Sequence, residues 1–206
     1  GLAELVLHNC KTSVDIGTFE VVDKLVDLDT YLSTLIESGI RRFAIDLEWG
    51  AGLKLRTIQL AWKGKRAIVI NVSDPGLIPT EIGSNWDRTV TILSKHLGRT
   101  DITLVGHNAR GDIKVLRKFG LDLMSQFVKG GFDTMLGYHL VPGNETLDKK
   151  LELVAIRMLG VDRYDYPLRC WLKENGYSDD KLETLLYGFV PNEILHPYGA
   201  GDALCT

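Results

Sequence analysis

The sequence has little cysteine, no long apolar run and no surplus of positive charge. Among 206 residues only Cys10, Cys170 and Cys205 occur, far apart and without a Cys-x-x-Cys pair. That excludes a disulfide framework and a zinc cluster and implies a reduced, cytoplasmic setting. The longest apolar runs are strand-length, well short of the roughly 20 residues a membrane helix needs, and no basic stretch followed by an apolar one opens the chain. A soluble protein with no membrane partner is expected. With 24 Lys+Arg against 27 Asp+Glu and a net charge of −3, the chain lacks the basic balance of proteins held on duplex nucleic acid by counterion release. Any contact with nucleic acid must be local. Repeats, low-complexity tracts and Gly/Ser linkers are also absent, and 45% hydrophobic content is enough to bury a core, so residues 1–206 read as a single folded domain.

Periodicity divides the chain. Up to about residue 75, strand-like runs dominate: Leu5–Leu7, Phe19–Val22, Arg41–Trp49, Thr57–Trp62 and Ala67–Val72, with one helical stretch at Leu28–Glu37. Beyond it, helical patterns cover Asp87–Leu97, Gly111–Lys118, Thr134–Leu140, Leu147–Leu159 and Asp179–Tyr187, with a short strand at Thr103–Val105 and a last helix from Pro197. The Lys63-Gly64-Lys65 break reads as a hairpin turn, while the helices before Arg41 and Thr103 supply crossovers for parallel neighbours. The fold class is therefore α/β, a mixed sheet flanked by helices in two or three layers.

Three short motifs gather carboxylates. Along Phe43-Ala44-Ile45-Asp46-Leu47-Glu48-Trp49 the period of two places Asp46 and Glu48 on one face and Phe43, Ile45, Leu47 and Trp49 on the other. Two neighbouring carboxylates repel each other unless a cation sits between them; for this pair taken alone, a solvated strand face is the better explanation. Val105-Gly106-His107-Asn108-Ala109-Arg110-Gly111-Asp112 carries a strand into a helix, where Asp112 is either a site residue or an ordinary first-turn acid. In Pro197-Tyr198-Gly199-Ala200-Gly201-Asp202, Tyr198 and Asp202 share a helix face, and the two glycines permit close approach. Asp133, before Thr134 and an apolar helical pattern, reads as an N-cap and not as a metal ligand.

Taken in order, Asp-x-Glu on a strand, Asn-x-x-x-Asp at a strand-to-helix edge and Tyr-x-x-x-Asp on a late helix resemble the tyrosine branch of the DEDD superfamily of 3′→5′ exonucleases. Gly131-Phe132-Asp133-Thr134-Met135-Leu136-Gly137-Tyr138 and the closing Tyr198–Thr206 segment look like the proofreading domain of family A DNA polymerases, bacteriophage ones included. The resemblance runs from about Arg41 to the end. It implies a ribonuclease H-like mixed sheet flanked by helices, in a domain belonging to a longer polymerase of bacterial or phage origin. Two positions depart from the pattern: Gly111 stands where an aromatic is common, and Trp49 where a small polar residue is more familiar. The histidine branch would place His at 197, which is Pro197 here, with His196 one residue further back.

What the resemblance implies is a two-metal phosphodiester hydrolase. Four carboxylates without a His or Cys cluster point to hard ions, two Mg²⁺ or Mn²⁺. By carry-over, Asp46 bridges the ions, Glu48 and Asp202 hold the first, and Asp112 serves the second through water. Tyr198 orients the attacking water together with Glu48. Asn108, Leu53 and Trp49 are candidates for contact with the terminal nucleotides, although Trp49 reads better as core. Arg110 and Lys114 are exposed helix-start residues that no basic stripe singles out. The expected activity is release of nucleoside 5′-monophosphates from single-stranded or frayed DNA 3′ ends, with a polymerase domain in cis as partner. The alternatives are a ribonuclease D-like RNA 3′-exonuclease and a catalytically silent scaffold domain of a polymerase. Intact Asp46, Glu48, Asp112, Tyr198 and Asp202 argue against the silent domain.

Overall fold

The computed structural model of the chain describes residues 16–144, 146–177 and 185–206. The expected strand Leu5–Leu7, Cys10 and most of the expected helix Asp179–Tyr187 lie outside them. Six strands form one mixed sheet in the order β1-β4-β3-β2-β7-β8. Strand β1 (Thr18–Val22) runs parallel to β4 (Arg66–Asn71), and β4 joins β3 (Lys54–Trp62) and β2 (Arg42–Gly50) in an antiparallel meander. On the other side of β2 lie β7 (Thr103–Gly106) and β8 (Phe132–Asp133), both parallel. The Lys63-Gly64-Lys65 turn is where the sequence places it, with left-handed φ of 103° at Gly64 and 57° at Lys65, as a tight hairpin with right-handed strand twist requires. Strands β5 (Ser73–Asp74) and β6 (Ile78–Pro79) form a separate small hairpin.

The helices are α1 (Leu25–Glu37), α2 (Glu81–Ser84), α3 (Trp86–Leu97), α4 (Arg110–Lys118), α5 (Met124–Val128), α6 (Thr134–His139), α7 (Leu151–Leu159), α8 (Tyr166–Glu174) and α9 (Asn192–Cys205). Among the described residues, no helix is long and apolar enough to cross a membrane, and Cys170 and Cys205 are free thiols. The two sheet faces differ in kind. One carries Phe43, Ile45, Leu47, Ile58, Leu60, Ile68 and Ile70, all buried with Leu28 and Leu32 of α1 and Leu93 and Leu97 of α3. The opposite face carries Ala44, Asp46 and Glu48 on β2 and, in register, Ala61, Gln59 and Thr57 on β3. Small and polar residues there let α9 lie close across β2, β3 and β4, with Ala203 and Leu204 packed on Ala61, Ala67 and Ala44.

Several boundaries differ from the sequence reading. The last helix begins at Asn192, so Pro197 lies inside it; a proline lacks the N–H that marks a helix interior, which is why the pattern suggests a start there. Helix α8, which the periodicity does not reveal, is fixed by Leu168 and Leu172 at i, i+4 and by a proline in its first turn. The helix expected over Leu147–Leu159 occupies only Leu151–Leu159, and β3 begins at Lys54.

Between Glu48 and Trp49 the β2–β3 register slips: Glu48 faces Thr57 but Trp49 faces Leu55, leaving Arg56 as the extra residue on β3. This bulge turns the Arg56 side chain inward. It is fully buried, and its guanidinium donates from Nε to the Ser73 carbonyl (2.9 Å), from Nη1 to the Tyr187 carbonyl (2.7 Å), and from Nη2 to the Val190 carbonyl (3.1 Å) and Asn192 Oδ1 (2.9 Å). Asn192 in turn donates to Asp74 at 2.7 Å. Burial pulls the Arg56 pKa down to about 10, against the opposing influence of Asp74 and Glu48. One charged side chain thus ties β3 to the segment that launches α9. Arg56→Leu removes all of these donors and is expected to lower the unfolding free energy by about 3–5 kcal/mol. Urea titration followed by circular dichroism measures it, and a change under about 1 kcal/mol would show that water replaces the guanidinium without penalty.

Candidate active site

Strand β2 and helix α9 bring three carboxylates together. One oxygen each from Asp46, Glu48 and Asp202 lies within 4.8 Å of the others. The pleat of β2 sets the first two on the face that α9 covers, and two glycines of α9 allow the third to come down onto them. A Cβ on Gly199 would overlap the Gln59 amide, and one on Gly201 would sit 2.6 Å from the Tyr164 ring. The close approach that glycine permits here is therefore filled by protein side chains.

Electrostatically the cluster is dominated by negative charge, with the Arg56 guanidinium acting on Glu48. Asp46 Oδ2 is enclosed and has no hydrogen-bond partner among the described residues. Burial, followed by the charges of Asp202, Glu48 and Asp112, holds the Asp46 carboxyl well above the usual carboxylate range. Burial likewise raises Asp202 to about 7, although hydrogen bonds from Tyr164 and Tyr198 act in the other direction. Asp112, buried in the first turn of α4, is raised to about 8 by burial, with Asp202 and Asp133 adding to the effect and a backbone hydrogen bond opposing it. It stands outside the tight trio but within its field. All donors are carboxylate oxygens and one is unpartnered, so the residues fit a hard divalent cation.

Tyr198 stacks on Tyr164, with ring centroids 6.4 Å apart, and meets Tyr187 edge-on. Burial raises its hydroxyl pKa, and Asp202, Tyr187, Glu48 and Asp46 add to the rise, so the phenol stays protonated facing the carboxylates. His196 points elsewhere. It is buried with Nε2 unpartnered, and its pKa falls to about 4 through burial and the nearby Arg56. Tyrosine and not histidine faces the cluster.

Tyr164 is a site residue that the sequence reading misses. Its hydroxyl donates to Asp202 Oδ1 at 2.6 Å. The next residue, Asp165, is fully buried and paired at 2.7 Å with Arg163, which fixes the chain just before α8. Thirty-eight residues separate Tyr164 from Asp202, and no local spacing links them; the only hint is a tyrosine beside an aspartate just ahead of a helix-opening proline.

The remaining expected residues surround the site. Asn108 has a left-handed φ of 54° and an exposed side chain. Its backbone N–H and that of Ala109 donate to the Asp133 carboxylate, both at 3.1 Å. Asp133 also caps α6 through the N–H groups of Met135 and Leu136, the capping role its sequence context suggests. Leu53 is exposed with φ 60° in the turn after β2; Lys118 Nζ holds that turn to α4 by a 2.8 Å bond to the Gly52 carbonyl. Trp49 packs against the main core, in keeping with the core reading. A Cβ on Gly111 would lie 3.8 Å from its ring. The two departures from the expected pattern thus meet in space, at ordinary van der Waals distance.

The raised carboxyl pKa values set the pH dependence of stability. A carboxyl harder to ionise in the folded chain than its ordinary 3.8 contributes stability that is complete below that value and is lost as pH rises through the folded pKa, about 7 for Asp202 and about 8 for Asp112. Metal-free protein is therefore expected to melt at lower temperature at about pH 8 than at about pH 5, and added Mg²⁺ or Mn²⁺ to raise Tm more at the higher pH. Scanning calorimetry in EDTA and in divalent cation checks this, and a metal-free Tm that rises over the interval would contradict the charge-deficient cluster.

No protein-family model matches the sequence, and no curated protein does. The fold, by contrast, is similar to that of solved exonuclease domains. Trypanosoma brucei RNase D in a complex with GMP aligns at TM-score 0.62 and 15% identity, over 91% of this chain and 54% of that one. The Aedes aegypti Nibbler EXO domain aligns at 0.54 and 17%, over 93% and 90%, and Brucella melitensis NrnC at 0.51 and 18%, over 90% and 73%. The chain spans about half the length of the T. brucei RNase D. The sheet flanked by helices that carries Asp46, Glu48 and Asp202 has the ribonuclease H-like fold of these solved domains.

Proposed function

We propose that the chain is a metal-dependent 3′→5′ exonuclease domain of the ribonuclease D kind, acting on single-stranded RNA 3′ ends. The observation that carries the reading is the convergence of Asp46, Glu48 and Asp202 around an unpartnered buried oxygen, on a fold similar to that of RNase D. The expectation of a polymerase proofreading domain has no comparable support, and the ribonuclease D-like alternative accounts better for the structural likeness. RNA as substrate, the number of ions and any further domain of the whole protein belong to this proposal.

Asp46, Glu48 and Asp202 would hold a divalent cation, and Asp112 would assist a second. Such ions, when bound, make water easier to ionise at neutral pH and neutralise charge on the leaving oxygen. The chain's own residues position the reactants. Tyr198, kept protonated, offers a hydroxyl to orient water toward the terminal phosphate together with Glu48, while Tyr164 fixes Asp202 by its 2.6 Å bond. Water's oxygen bonds to phosphorus as the bond to O3′ breaks, O3′ takes up a proton, and a nucleoside 5′-monophosphate departs. Asn108 and Leu53, on the α4 approach and the Gly52 turn, would meet the last nucleotides.

Incubation of 5′-labelled single-stranded RNA and DNA with Mg²⁺ or Mn²⁺ tests the reading. Stepwise shortening from the 3′ end is expected, faster on RNA. Asp46→Asn is expected to slow it by at least about 10³-fold, and Tyr198→Phe by about 10–10²-fold, in line with losses of charge-stabilising and positioning groups. Equal rates in wild type and Asp46→Asn would refute the exonuclease assignment; a clear preference for DNA would restore the proofreading reading.

A further inference from the structure

A groove of about 380 Å³ runs beside α4, outside the carboxylate cluster, between that helix and the edge strand β8. Arg110, Lys114 and Arg117 line it at i, i+4 and i+7, so one face of α4 is a basic stripe about 10 Å long, while Asp112, Val115 and Leu116 on the opposite side are buried. The spacing alone does not reveal this stripe, because it takes on meaning only beside what it faces. Across the groove stands Phe132, 54% exposed, over a wall that includes Met124 and the half-buried Phe127.

Phe132 is held in place. A Cβ at Gly137 would overlap the far edge of its ring, so the ring lies directly on α6. A Cβ at Gly131 would come within 2.5 Å of the Phe127 backbone and the Leu104 carbonyl, which seats β8 tightly against the sheet. The two glycines of the Gly131–Tyr138 segment thus present an aromatic face as a rigid platform. Among the described residues neither Arg110 nor Lys114 has a carboxylate partner, and Arg117 shares only an exposed 3.3 Å pair with Asp122. Among the described residues Asp133 is the single acid lining the groove, and its oxygens already accept four backbone N–H groups.

We infer that this groove binds the single-stranded nucleic acid upstream of the 3′ end, with phosphates along Arg110, Lys114 and Arg117 and a base stacked on Phe132. Cations in a row facing an exposed ring match a polyanion that carries flat bases, and the combination is tolerant of sequence. Ala109 and Arg110, which line the groove, immediately follow Asn108, so a strand leaving the site past Asn108 would meet it next. The inference deepens the proposed function and rests on it for the strand's direction, but binding in the groove can be measured without cleavage.

Fluorescence anisotropy in EDTA, where no metal-dependent cleavage shortens the probe, would compare labelled oligoadenylates of about four and about twelve nucleotides, the range single-strand sites span. Wild type is expected to favour the longer probe. Lys114→Glu and Phe132→Ala are each expected to reduce that advantage about tenfold. Lys114→Glu should also lower the slope of log affinity against log salt by about 0.7 for the phosphate contact removed. Arg88→Glu, on α3 and outside the groove, should do neither. Wild type without a length advantage, equal losses in Arg88→Glu, or polyglutamate competing as well as the oligonucleotide would overturn the inference, the last by assigning the groove to an acidic polypeptide. A wild type that cleaves nothing yet keeps the length-dependent binding would refute the exonuclease reading alone.

Discussion

The structure depends on keeping carboxylates closer together than they would settle by themselves. Asp46 and Glu48 are neighbours on one pleat, and α9 adds Asp202 from above, in surroundings dry enough that Asp46 and Asp202 resist ionising. Mutual repulsion would push α9 off the sheet if nothing opposed it. Three contacts do. Alanines at 44, 61 and 67 give the helix a close seat, Gly199 and Gly201 let Gln59 and the Tyr164 ring press against it, and Arg56 anchors the segment just before it through the carbonyls of Tyr187 and Val190. A site built this way is destabilised in the absence of cations and is ready to receive them.

Arg56 shows how a fold spends a charge far from the chemistry. A buried arginine is costly unless its donors are satisfied, and here four acceptors from two separate stretches of chain, Ser73 and residues 187–192, surround it. On β2, by contrast, ordinary alternation is enough to send Glu48 to the cluster and Trp49 to the core. The irregularity in strand pairing settles the fate of Arg56 alone.

Much of the site was legible because its parts repeat a local pattern. The period of two assigns Asp46 and Glu48 to one face, the i, i+4 spacing joins Tyr198 to Asp202, and Asp133 is an N-cap in sequence and in structure. What was not legible arises from contacts between distant segments. Tyr164 reaches Asp202 only because α8 folds back under α9, and Arg56 looks like any charge on an alternating strand until the register slips. Helix α8 is short, and Leu168 and Leu172 alone do not raise its pattern above the surrounding polar residues. The likeness to polymerases leaned on the Gly131–Tyr138 segment, whose glycines are explained by packing around Phe132 and Phe127 and so say little about whether DNA or RNA is bound.

The net charge of −3 still bears on how such a chain meets a polyanion. Averaged over the surface, the field offers no general attraction, and long-range steering is weak at physiological ionic strength, where screening acts over about 8 Å. Attraction has to be assembled from patches. Bound divalent cations would reverse the sign of the acidic cluster, and the stripe on α4 supplies the other positive region, with Asp112 on the opposite side of the same helix. A single helix thereby carries two opposite charge patterns: its buried side adds Asp112 to the negative field of the cluster, and its exposed side presents Arg110, Lys114 and Arg117. Since both sides move together with α4, a displacement of that helix would disturb the proposed strand groove and the proposed cation site at once.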